Sequence, residues 1–352
     1  MNMEKIERIF TDYQEALVIQ QSDLSLKSVS DMVEKKAIDI SPKYQRRERW
    51  DSVKESDLIE SFLLNIPVPP IYLAEDAYGT YSVIDGKQRL TAITNFLTNH
   101  LKLQKVERFK ELEGLYFNEL PAALQNALSI RPYLRVVTLL KQSDNNLKHE
   151  VFLRLNKAGV ALNSQEIRNV AFRGKLNDLL FELSADSDFA KILKSNDIKG
   201  KVYREMIDVQ FVLRFFTVKS TWENFPGNMD KAMDSFMVEN HKNSEDQISR
   251  FKNDFYRAFQ ACLSIWGDDC FMKPGAPRKV LQGFYDIQMV CISLLTDDEI
   301  GNLINKKEIV KEKLIDELNT NKEFMTSVSQ FTSNSKAVEY RIRHFWEILR
   351  GI

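Results

Sequence analysis

Apolar positions in the first 150 residues switch between two periods. Ile6, Ile9, Phe10, Tyr13 and Leu17 recur at three- and four-residue steps, which predicts a helix over 2–20. A short helix over 28–36 and a short strand over 37–40 follow, stopped by Pro42. Asp51 or Ser52 can cap the next helix, 53–65, with Leu58, Ile59, Phe62 and Leu63 on its apolar face; Pro67, Pro69 and Pro70 end it. Ile71-Tyr72-Leu73 and Tyr81-Ser82-Val83-Ile84 are β-branched and aromatic, and Tyr78-Gly79 falls between them, so 71–75 and 80–84 read as a hairpin. A helix then carries Leu90, Ile93, Phe96 and Leu97 on one face, and another strand is expected over 133–141. From about 144 onward the spacing is helical almost throughout, with clear segments at 203–219, 244–266, 278–295, 303–318 and 336–350. The pattern therefore predicts an α+β domain over 1–150 and an all-α domain over 151–352. No repeat of fixed period argues for a solenoid.

Composition narrows the functional classes. The chain has 352 residues, 43% of them hydrophobic, which is enough for two sizeable cores. Its 49 basic and 50 acidic side chains nearly cancel, so any polyanion site must be a local patch. No apolar run is long enough to span a bilayer, and Met1-Asn2-Met3-Glu4-Lys5 lacks a secretory signal, which places the chain in the cytosol. Cys262, Cys270 and Cys291 form no C-x-x-C pair, and His100, His149, His241 and His344 are scattered. A disulfide framework or zinc knuckle is therefore not expected.

The main chemical signal is a strand, then Asp85-Gly86-Lys87-Gln88-Arg89, then a helix. The first N–H groups of a helix have no internal partner, and the helix dipole puts partial positive charge there. Gly86 permits positive φ and close backbone approach. Lys87 and Arg89 add full charges, and Thr91 a hydroxyl for a phosphate or a metal-bound water. This is a plausible anion pocket, though neither a Walker A loop nor a Rossmann fingerprint. The alternative is a polar strand-to-helix turn with solvated charges.

Two other stretches accompany it. Arg46, Arg47 and Arg49, flanked by Tyr44 and Trp50, combine phosphate-binding guanidinium groups with rings able to stack on a base. A loop with Trp50 in the core and its arginines in water is the plainer reading. Arg154, Asn156, Arg168 and Asn169 form the third. Asn156 suits a cap ahead of Gly159, Leu162–Glu166 offers a cap for the next helix, and Arg168 could pair with Glu166 or Asp178.

In this order the three stretches resemble one family: the N-terminal, nucleotide-hydrolysing domain of GmrSD-type modification-dependent restriction enzymes and SspE-type phosphorothioate-dependent defence proteins. The matching segments are Tyr44-Gln45-Arg46…Trp50, Val83 to Ile93, and Phe152 to Gly159 running on to Leu162…Glu166…Asn169. The resemblance implies a ParB/sulfiredoxin-like fold for the first domain, and an NTP (ATP, GTP, CTP or UTP) with Mg²⁺ at the Asp85–Arg89 loop. Asp85 would hold the metal or orient the attacking water, Gln88 would position the nucleophile, and Arg89 would bind phosphate. Arg46, Gly86, Lys87, Thr91 and Asn156 would complete the nucleotide site. The family loop usually reads D-G-Q-Q-R, and Lys87 replaces its first glutamine. His241 and His344 lack the surroundings of an HNH nuclease, so cleavage would fall to a partner protein or to the N-terminal fold itself.

Two other functions stay open at this level. Asp76, Asp85 and Lys87 have the form of a Mg²⁺-dependent endonuclease or nickase. A non-enzymatic module is the other: the helical half would bind DNA or protein, with Lys194, Lys199, Lys201 and Arg204 as a modest basic cluster. A homo-oligomer is compatible with all three. A thiol-based redox role is excluded because the N-terminal half has no cysteine.

Overall fold

A computed structural model describes residues 3–40, 50–156, 163–330 and 332–352. The chain divides into two compact units, Met1–Ala171 and Phe172–Ile352.

The first unit is built on α1 (Met3–Ala16), β1 (Ile19–Ser25), α2 (Leu26–Glu34), β2 (Ile38–Asp39), α3 (Ser52–Leu63), β3 (Ile71–Ala77), β4 (Thr80–Asp85), α4 (Lys87–Leu97), α5 (Ala122–Ile130), β5 (Tyr133–Leu139), α6 (Asn145–Asn156) and α7 (Ser164–Ala171). Its sheet has the order β1-β5-β3-β4-β2. The β1–β5 and β3–β4 pairs are antiparallel; β3–β5 and β2–β4 are parallel.

Strand alternation sorts the core onto the two faces of this sheet. Ile71, Leu73, Val83, Leu134 and Val136 join Leu26, Val29, Ile59, Leu90, Ile93 and Phe96 from α2, α3 and α4. The opposite face presents Ala74, Ile84 and Leu139, which meet Ile167 with Val151, Leu155 and Ala171. That second cluster explains why the contact boundary falls after Ala171 and not at 150. The helices α6 and α7 cover a sheet face that would otherwise be bare.

β1 begins inside the span predicted as helix, at Ile19, and runs on to Ser25, where the pattern predicts no strand. Gln20-Gln21-Ser22-Asp23 has no alternating apolar face, and pairing with β5 sets its conformation instead. Asp51 caps α3 as expected, its Oδ1 accepting from Lys54 N–H at 2.9 Å.

Among the described residues of the second unit the regular elements are helices, with one isolated bridge, Met272–Val280. Its core is aromatic: Phe189, Phe255, Phe259, Phe271 and Tyr285 are buried and meet mostly edge to face. The segment predicted over 303–318 is two helices, Asp297–Asn305 and Lys307–Thr320. The one predicted over 278–295 becomes regular only at Gln282 and includes a π-helical turn, Asp286–Val290. No helix among the described residues is long and apolar enough to cross a membrane.

Candidate functional site

The Asp85–Arg89 pentapeptide forms the turn from β4 into α4. A bulge precedes it: Asp85 pairs with Tyr72 and Val83 with Leu73, so Ile84 is the extra residue. Gly86 follows with φ 100°, in the left-handed region. A Cβ there would lie 2.2 Å from Ile71 Cδ1, and Gly86 is buried. Glycine is thus required by the turn and by the packing of β3 beneath it, more than by the approach of a ligand's phosphate.

Arg89 is largely covered, its side chain 12% exposed. Nη1 donates to the carbonyls of Pro69 and Pro70, and Nη2 to Asp85 Oδ2 at 2.5 Å. The guanidinium therefore ties the prolyl segment before β3 to the turn after β4. The phosphate contact expected of it is left to Nε and the second N–H of Nη2, since these three bonds hold the other donors. Asp85 is 45% exposed and keeps its second oxygen without a hydrogen-bond partner among the described residues. Lys87 and Gln88 are half-buried in the first turn of α4, and Thr91 is half-buried in the second.

Gln88 links this turn to the second motif: its Oε1 accepts from the backbone N–H of Trp50 at 3.2 Å. The chain thus returns from the arginine-rich segment directly beside α4, with Trp50 packed against the core. Arg46, Arg47 and Arg49 themselves lie outside the described residues.

The third motif packs on the other face of β4, where Ile84, next to Asp85, meets Ile167. Asn163 Oδ1 accepts from the N–H groups of Gln165 and Glu166, both at 2.9 Å, and Glu166 Oε2 accepts from Asn163 N–H at 2.7 Å. This reciprocal cap starts α7. Inside the helix, Gln165, Glu166, Arg168 and Asn169 are all buried. Gln165 Nε2 donates to Asn169 Oδ1 at 2.9 Å and Arg168 Nη1 to Gln165 Oε1 at 3.4 Å. Gln165 is the member that sequence reasoning treated only as part of a cap; its three- and four-residue spacing to Arg168 and Asn169 is the signal that could have found it. Asn156 is the last residue of α6. Arg154 makes an exposed pair with Glu150 one turn earlier.

The metal-nuclease arrangement of Asp76, Asp85 and Lys87 does not form. Asp85 lies opposite Tyr72, and Asp76 is four residues further along β3, roughly 13 Å away at strand rise. Mg²⁺ takes its oxygens at about 2.1 Å, so one ion cannot bridge that span. Asp76 instead accepts from Ser82 Oγ at 3.1 Å. Among the described residues no group of three or more His, Cys, Asp or Glu is placed to hold a metal.

Trp50, the Asp85–Arg89 turn and α7, one described part of each motif and separated by up to 120 positions, thus meet at one end of β4. Residues 29–173 match the GmrSD restriction endonuclease N-terminal domain family. This part of the chain is similar to the GmrSD-type N-terminal domain. The match covers most of the first unit and stops two residues into the second. No curated protein and no solved structure matches the chain.

Elsewhere, Lys201 pairs with Glu205 and Lys194 reaches the Arg278 carbonyl, so this basic cluster is a solvated surface with local partners. The three cysteines are buried and free; burial pushes the Cys270 thiol up to about 12 and the other two well above the usual range. None offers a thiolate nucleophile near neutral pH.

Proposed function

We propose that the GmrSD-type domain serves a restriction system as its nucleotide-binding and NTP-hydrolysing module, with the phosphates held at the start of α4. The observation that carries this reading is the meeting of Trp50, the Asp85–Arg89 turn and α7, one described part of each family motif. The sheet, with helices on both faces, is compatible with the ParB/sulfiredoxin-like fold that the family resemblance implies.

The roles divide by place in the turn. Lys87, by its charge, and the N-terminal end of α4, by its helix dipole, supply positive potential to a phosphate. Arg89, with Pro69, Pro70 and Asp85 as partners, acts as a positioning residue that fixes the turn. Gln88 holds Trp50 beside the same site, and the family resemblance implies Arg46 as a further contact to the nucleotide. The free oxygen and partial exposure of Asp85 fit a Mg²⁺ ion held jointly with phosphate oxygens, since Mg²⁺ often uses only one or two carboxylates. When bound, the ion would neutralise charge developing on the phosphates. DNA and a separate nuclease are the partners this reading requires, because the family's role is restriction and the paired-carboxylate arrangement is broken by strand register.

The test is a panel of ATP, GTP, CTP and UTP with Mg²⁺, scored for binding and phosphate release with and without DNA. Wild-type protein is expected to bind at least one nucleotide. Lys87→Ala should weaken binding about tenfold with the melting temperature unchanged, while Asp85→Asn should lose phosphate release and retain most binding. Wild-type protein inert to every nucleotide, or Lys87→Ala and Asp85→Asn both behaving as wild type, would overturn the proposal.

A further inference from the structure

The helical unit buries two arginines against one carboxylate. Asp286 opens the π-helical turn and is fully buried. Arg214, 3% exposed on the helix Ile207–Thr221, donates Nε and Nη2 to its two oxygens at 2.7 and 2.6 Å. Arg341, fully buried, donates Nη2 to the same carboxylate and Nη1 to the Ser327 carbonyl at 3.0 Å. Both Nη2 atoms also reach the Thr332 carbonyl at 2.9 Å. The cluster thus carries an excess positive charge in a dry environment, where charges are normally paired. Asp208 does not balance it directly. It lies six residues before Arg214 on the same helix, about 240° around the axis.

Not every donor of the cluster is spent: Arg341 Nε is buried without a hydrogen-bond partner, and a second unspent group faces open space. Arg214 Nη1 makes no hydrogen bond among the described residues, and its side chain lines a cavity of about 120 Å³. Because Asp286 and Thr332 hold the other nitrogens, the direction of Nη1 is fixed in advance. Gln210, one turn earlier on the same helix, brings an amide to the cavity, and Ser333 lines it too. Gln282 adds a second amide; its Oε1 accepts from Thr332 Oγ1 at 3.0 Å, which leaves its NH₂ as a donor. Met229 and Met233, one turn apart, form an apolar wall. Asp230, exposed, lines the cavity as well and opposes a head group of high negative charge.

We propose that this cavity is a binding site for a small, singly charged carboxylate ligand, with the head group on Arg214 Nη1 and a short apolar tail against Met229 and Met233. The lining favours a monoanion over a phosphate dianion because one guanidinium and one carboxylate border the same space. Backbone packing beside it is tight. A Cβ on Gly283, next to Gln282, would lie 2.1 Å from the Val328 carbonyl, so the neighbouring segment is held close.

The experiment uses the full chain, titrated with sodium butyrate, acetate or inorganic phosphate against sodium chloride at matched ionic strength, and read by calorimetry and melting temperature. Butyrate should give a saturable response, stronger than acetate, and phosphate a weaker one. Arg214 is too embedded to remove safely, so the deciding variant is Gln210→Glu at a half-buried position. Its carboxylate should take the ligand's place, raise the melting temperature without ligand and weaken butyrate binding about tenfold or more. Met233→Trp, which fills the cavity, should abolish the response. A wild-type protein that responds to butyrate no more than to chloride, or a Gln210→Glu variant that responds as wild type does, would overturn the site.

Discussion

Gly86 shows how one residue can serve a turn and a core together. Its φ of 100° disfavours any side chain, and Ile71 Cδ1 occupies the space a methyl group would need. Left-handed strain and overpacking should add, so Gly86→Ala is expected to cost about 2–4 kcal/mol, measured by urea denaturation. An unchanged midpoint would show that the turn can relax. Glu60 is the second such case. It is 7% exposed, and its carboxylate accepts from the N–H groups of Arg108 at 2.6 Å and of Glu107 and Phe109 at 3.2 Å each. Burial pushes its pKa up, but these three backbone bonds outweigh it and hold the carboxyl below the ordinary glutamate value. The unfolded chain therefore binds this proton more readily. The stabilisation is full above the unfolded value of about 4.3 and is lost as pH falls through the lower folded value. Glu60→Gln should cost about 1–3 kcal/mol at pH 7 and less as the pH drops toward 3, with a shallower acid limb in the stability curve.

At the scale of elements, legibility followed how much of a segment's conformation its own residues determine. The β3–β4 hairpin and α4 were readable because Ile71, Leu73, Val83, Leu90 and Ile93 put their periodicity into the core. β1 was not, since Gln20 to Asp23 are polar and mostly exposed, and only pairing with β5 makes them a strand. The candidate site was half legible. The order of its motifs was visible, but Arg89 could not be seen to turn toward Pro69 and Pro70, since prolyl carbonyls leave no mark in a residue pattern. Helix ends gave similar surprises. Lys194 ends the helix Ser187–Leu193 in the left-handed conformation, φ 61°, while exposed to solvent. A lysine there has strain that glycine lacks, and its bond to the Arg278 carbonyl is long at 3.4 Å. Lys194→Gly should therefore stabilise the protein by about 1 kcal/mol, seen as a higher melting temperature. A lower one would mean that the lysine contact outweighs the backbone strain.

At the scale of the whole molecule, the question is what the first unit needs in order to fold. Its sheet is closed on one face by α2, α3 and α4 and on the other by α6 and α7, and both apolar clusters are made of residues before 172. A cut at 150, where the periodicity changes, would remove Val151, Leu155, Ile167 and Ala171 and leave Ala74, Ile84 and Leu139 uncovered. Ile84 precedes Asp85, so the loss would fall directly under the candidate phosphate turn. A fragment of residues 1–171 is accordingly expected to unfold cooperatively, to show mixed helix and strand by circular dichroism, and to keep whatever nucleotide affinity the full chain has. A fragment of residues 1–150 is expected to expose the uncovered sheet face, bind the hydrophobic dye ANS and lose that affinity. If the shorter fragment melted as cooperatively as the longer one, α6 and α7 would be dispensable to the sheet, and the third motif would have no structural reason to meet the other two at β4.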